Sequence, residues 1–221
     1  MSDLIITPGY PGVVDIGPNY TFTGNLISTD AKVIMRDFDK SFYVTGNIEA
    51  FTDVTCDNVL GVVAGHLVSG RDITMAGNVS VDKEIRCGRN MLSVTGTIAS
   101  SSFVKTAGSL SAIADINVAS TVTVGTDIVC NGQMQIGSYI QCEGKITVTT
   151  QIYAAAIAAG GDITCSGLID SGSTIRTQGE LKAGTTIAAG TASASPSAED
   201  AKIVATKVTG DVVSGYVELA A

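Results

Sequence analysis

DIVCNGQMQIGSYIQCEGKITVTTQIYAAAIAAGGDITCSGLIDSGSTIRTQGELKAGTTIAAG, residues 127–190, decides the fold. An aliphatic residue falls at Ile128, Met134, Ile140, Ile146, Ile152, Ile157, Ile163, Ile169, Ile175, Leu181 and Ile187. Every step is six residues except the five from Ile152 to Ile157. Two positions after each anchor comes a small or β-branched residue, among them Cys130, Val148, Cys165 and Thr177. Two further on, Gly or Ser recurs, as at Gly132, Gly144, Gly167 and Gly179.

Alternation over three residues puts two side chains on one face of a short strand. The Gly or Ser that follows lets the chain turn a corner. Strand and corner, repeated, wind the chain into a coil whose rungs stack as parallel sheets. A helix fails, because a period of six places successive aliphatics about 600° apart and leaves no continuous stripe. The run 127–146 also aligns with 162–181 at an offset of 35, six hexads less the short step. Six hexads make two circuits of a triangular coil of about 18 residues, or three of a two-sided one; the triangle is preferred.

Working outward, the same pattern reaches back through Ile116, Leu110, Val104 and Ile98 to Leu92. Before it, YTFTGNLIS (20–28), FYVTGNIEA (42–50) and ITMAGNVSV (73–81) resemble one another. The anchors Val54, Val59, Leu67 and Ile73 are unevenly spaced, and the charged run 30–41 reads as a bulge from a corner. The expected fold is all-β: a single-stranded parallel β-helix over 20–190, triangular, with about nine turns of about 18 residues. Residues 1–19 read as an N-terminal cap or docking segment and 191–201 as a polar linker. Residues 202–221 return to β-branched residues and read as a C-terminal cap or subunit-exchange segment.

The chain has 221 residues, 45% hydrophobic and 5% aromatic, with no Trp. That suits a narrow bore stacked with Ile, Val, Ala and Cys. A net charge of −8 argues against nucleic acid and anionic membrane surfaces. No apolar run approaches a membrane span and no signal peptide is visible, so the expected location is the cytoplasm, or a virion. Cys56, Cys87, Cys130, Cys142 and Cys165 each follow an anchor by two residues, without the spacing of a metal site. They read as buried small residues in a reducing compartment.

Chemistry is hard to find. His66 is the single histidine, and no triad can be built around it. Asp72, Asp115, Asp127 and Asp162 each directly precede an anchor, which reads as turn chemistry rather than paired catalytic acids. Thr pairs such as Thr121/Thr123 and Thr147/Thr149 lie scattered among Arg, Lys, Asp and Gln, so no ordered Thr face is expected. The expectation is no enzyme, no catalytic, cofactor or metal residues, no cofactor and no small-molecule ligand.

At VTGNIEAFTDVTC (44–56), VTGTIAS (94–100) and AGNVSV (76–81) the chain resembles the bactofilins, polymer-forming bacterial cytoskeletal proteins. The resemblance covers most of 20–190. It implies a right-handed triangular β-helix, no nucleotide and end-to-end assembly into filaments. Bactofilins carry Pro-rich disordered tails, whereas the ends here read as structured.

The leading reading is therefore a self-assembling structural subunit whose partner is itself. The first and last rungs of a coil expose backbone groups that must be capped or paired. The residues expected at those contacts are Leu4, Ile5, Ile6, Tyr10, Val13 and Val14 at the start. From the tail come Ile203, Val208, Val212, Val213, Tyr216, Val217 and Leu219. The rival readings are a trimeric phage or cell-surface fibre and a hexapeptide-repeat acyltransferase using His66. Against the latter, whose hexads carry Gly, Ala, Glu or Asp after the aliphatic residue, that position here holds Thr, Ser, Gln, Arg, Lys and similar groups, and never Gly from Leu92 onward.

Overall fold

A computed structural model describes residues 4–6, 20–29, 33–35, 41–56 and 60–220. Among them there is no helix, and every strand pairing is parallel. Strands of three or four residues succeed one another around three faces, and each pairs with the strand one circuit later. Face I begins with Tyr20–Phe22, face II with Leu4–Ile6 and Leu26–Ser28, and face III with Val33–Met35. Face II is one twelve-stranded sheet. Faces I and III join into a second, nineteen-stranded sheet, because Glu180–Ala189 runs unbroken round the corner between them. The result is a triangular β-solenoid of about 10 turns with ~18-residue spacing.

The reason lies in each hexad. In Ile128–Cys130 the outer two side chains are buried and Val129 is exposed, and this pattern recurs along the coil. The inward aliphatics form one continuous core from Leu26 to Ile203. The five-residue step after Ile152 is absorbed at one corner, where both Ala155 N–H and Ala156 N–H reach Ser138 O.

The corners carry their own ladder. Asp127 Oδ1 accepts from Lys145 N–H at 2.7 Å, one circuit on; Asp115 takes Gln133 N–H at 2.8 Å and Asp162 takes Glu180 N–H at 3.0 Å. Glycine makes room for them: a Cβ on Gly144 would lie 2.2 Å from Asp127 Oδ1 and 2.7 Å from Thr126 O. The turn reading of the acids thus has a structural basis. The cysteines are buried, and none forms a disulfide. The Cys142 thiol donates to Thr126 O at 2.8 Å, as the Ser69 hydroxyl donates to Thr52 O at 2.5 Å, each acceptor in the preceding circuit. Thiol and hydroxyl fill the same inward corner position.

Four features differ from the linear pattern. Leu92 faces outward and is 40% exposed; Met91 and Ser93 point inward instead. In Leu60–Val63 the inward residues are Gly61 and Val63, and the Phe42 ring of the circuit below fills the space against Gly61. Val59 lies outside the described residues. Leu4–Ile6 already stacks on Leu26–Ser28, before the first rung the pattern marks. Finally, Thr55, Thr74, Thr147 and Thr164 share one outward column on face III, although they lie far apart in sequence.

The chain leaves the coil at Gly190, whose φ of 76° is the left-handed region that favours glycine. Residues 191–200 form a largely exposed loop, and Ala201 is buried again. Lys202–Ala205 then rejoins face II, Lys207–Ser214 passes along faces III and I, and Tyr216–Leu219 returns to face II. Residues 202–219 therefore stack as more coil.

Candidate assembly interface

The last circuit shows what a rung needs from its neighbours. Val208 pairs with Leu181 and Val212 with Ile187, while Val217 pairs with Ile203 and Leu219 with Ala205. The lower member of each pair is fully buried and points into the bore. The upper four continue the same inward columns with no strand stacked on them among the described residues. Val208 and Val212 are only partly buried, and Val217 and Leu219 remain 46% and 64% exposed. Among the described residues, Lys207–Ser214 and Tyr216–Leu219 each pair along one edge only. That leaves a row of backbone N–H and C=O groups unpaired along the other.

Polar side chains fasten this circuit to the one below. Lys202 Nζ lies 2.6 Å from Glu218 Oε2, and Lys207 Nζ lies 3.1 Å from Glu180 Oε1. Thr209 Oγ1 donates to Glu180 at 2.8 Å, and Ser214 Oγ donates to Ala189 O at 2.8 Å. The circuit is thus ordered on its lower side and bare, largely apolar, on its upper side.

The expected contact residues fall into three groups. Val208, Val212, Val217 and Leu219 lie together on this bare end. Val213 and Tyr216 lie on the same rung, 60% and 53% exposed. Ile203 lies in the core beneath Val217 and reaches no surface. At the other end Leu4–Ile6 forms the edge strand of face II, with Ile5 exposed. Tyr10, Val13 and Val14 lie outside the described residues.

His66 sits at a corner with Nδ1 3.4 Å from Glu84 Oε1, without a hydrogen bond. Glu84 is engaged by Arg86 Nε at 2.8 Å, and the Arg86 guanidinium lies over the Phe103 ring. Among the described residues no three His, Cys, Asp or Glu side chains are grouped to hold a metal, and no helix is long and apolar enough to cross a membrane.

What the linear pattern missed is the make-up of the outward columns. Adding one circuit, 17 to 19 residues, from Thr55 collects Thr74, Leu92, Ser111, Val129, Thr147 and Thr164 on face III. From Thr55 to Thr164 the column carries no charge, in a chain of net charge −8, and Lys182 follows on the next rung.

No protein-family model matches the chain, and no curated protein and no solved structure matches it. The likeness to bactofilins rests on the repeat alone.

Proposed function

We propose that this chain is a structural subunit whose copies stack end to end, the bare rung at 207–219 of one copy seating on the first rungs of the next. What carries the reading is the set of inward-column side chains, Val208, Val212, Val217 and Leu219, left open to solvent on an otherwise dry bore. Covering their exposed halves would contribute about 3–5 kcal/mol, much of it offset by the ordering cost of association. The unpaired strand edges supply the direction. A parallel ladder continues across a joint only if the end of one coil meets the start of another. Such a head-to-tail joint is heterologous, and a heterologous joint that does not close makes a filament.

On this reading the chain is not an enzyme, takes no cofactor and has itself as partner. Cysteines that form no disulfide suit the cytoplasm, or a virion assembled there. Electron microscopy and sedimentation of the 221-residue chain test the proposal. Filaments are expected, and Leu219→Lys should abolish them while Val213→Lys, on the outer side of the same rung, leaves them. Discrete trimers would favour the fibre reading, and single coils at every concentration would end the proposal.

A further inference from the structure

Between Thr55 and Thr164 the outward column on face III is uncharged and reads the same in both directions; Ile34 precedes this stretch and Lys182 follows it. From Ser111 outward the pairs are Leu92 and Val129, then Thr74 and Thr147, then Thr55 and Thr164. Leu92 and Val129 are each 40% exposed, and Ile113, at the corner beside Ser111, is 53% exposed. The rungs from Val54–Cys56 to Ile163–Cys165 stack without a register shift, so the column is straight in sequence terms.

A surface that matches its own reverse is what a two-fold contact requires, because the same patch must serve both partners. We propose that face III pairs laterally with face III of a second copy, the coils antiparallel and the two-fold axis passing through Ser111 along the strand direction. Leu92 then meets Val129 of the second copy, Ile113 meets its own counterpart, and threonines meet threonines. Such an axis keeps the corner before the face over the same corner of the second copy. There Asp72 comes level with the other copy's Lys145, and Asn90 with its Asp127, while Arg89 stays paired with Asp72 of its own chain. One like-charged pair results, Asp53 opposite Asp162, and Lys145 already neutralises Asp162 from 2.9 Å.

This contact is distinct from the end-on joint and does not require it. Six rung steps of ~4.8 Å give a patch about 29 Å long. With a width of ~15 Å that is about 450 Å² per copy, below the ~800 Å² of a standard stable interface. The pairing is therefore weak and concentration-dependent in single coils.

The axis makes a specific prediction for single cysteines. Ser111→Cys lies on it and faces itself, whereas Thr147→Cys faces residue 74 of the other copy. Stacked sheets lie ~10 Å apart, too far for a direct disulfide, so a short bismaleimide is the probe. The native thiols are buried and do not compete. Ser111→Cys should give cross-linked dimer at least ~5-fold faster than Thr147→Cys alone, and mixing Thr74→Cys with Thr147→Cys chains should restore the faster rate. Adding Val129→Lys should weaken pairing ~10-fold or more in sedimentation. Doing this in a Leu219→Lys background separates the two contacts. Equal rates at 111 and 147, or no dimer from 111, would overturn the antiparallel pairing whether or not filaments form.

Discussion

The circuit around Ile128–Val148 and the circuit at 202–219 are built from the same kind of strand, yet only one is dry. Ile128, Met134, Ile140 and Ile146 are fully buried, while Val217 and Leu219, in equivalent inward positions, are about half exposed. The difference is not in the rung itself. A rung of three short strands encloses too little volume to cover its own side chains; the rungs above and below cover them. Burial in this molecule is a property of stacking, and the stability of any one circuit is largely its interface with its neighbours.

Ile146→Ala against Val217→Ala is the sharpest way to break the comparison. Truncation in the middle opens a cavity between three stacked rungs and should cost about 2–5 kcal/mol. The same loss at the end, where solvent already reaches the side chain, should cost under ~1 kcal/mol. Urea denaturation of both variants reads the gap; equal costs would mean that the last rung is covered in solution, which filament formation would itself explain.

Corner glycines come next. Gly144→Val places a side chain against the Asp127 carboxylate and the Thr126 carbonyl and should cost about 1–3 kcal/mol. Asp127→Ala removes the acceptor for Lys145 N–H while opening space, and should cost about 1 kcal/mol. If Asp127→Ala rescues part of the Gly144→Val loss in a double-mutant cycle, the two share that corner.

Thiol chemistry extends the contrast. Burial pushes Cys130 and Cys142 up to about 11, desolvation outweighing the backbone hydrogen bonds they receive. Iodoacetamide at pH 8 should leave both unmodified in the folded chain and label them once urea unfolds it. Rapid labelling without denaturant would show that mid-coil rungs open. Cys142→Ser should be well tolerated, since a hydroxyl suits the same corner carbonyl.

The smallest expected effect is on acidification. The Arg89 side chain holds Asp72 below the usual carboxylate range despite some burial, and Lys145 does the same for exposed Asp162. A carboxylate depressed in the folded chain stabilises above its unfolded value, about 3.9, and loses that contribution as pH falls through the folded value. Stability should therefore decline below about pH 4. Arg89→Ala should flatten that decline, and added salt should shrink it, because both pairs are partly exposed.

Much of this was legible in the residues. The sixfold spacing of Ile128, Met134, Ile140 and Ile146 sufficed for the coil, because only a strand-and-corner repeat buries that spacing. Asp before an anchor sufficed for the corners. Leu92 was misplaced because Met91 beside it is equally aliphatic, and hydropathy alone cannot choose between adjacent apolar residues. Gly61 was missed because the group filling that part of the bore, the Phe42 ring, belongs to the preceding circuit.

The chain by itself determined the rung: which residues point in, which turn, and that rungs repeat. Only the tertiary structure decided which residues become neighbours along the axis, since those lie a whole circuit apart and the circuit varies from 17 to 19 residues among the rungs of face III between Val54 and Ile163. That variation hides the uncharged column from any fixed-period reading. It also left the place of 202–219 to be settled by stacking, because the loop 191–200 erases the period without breaking the coil.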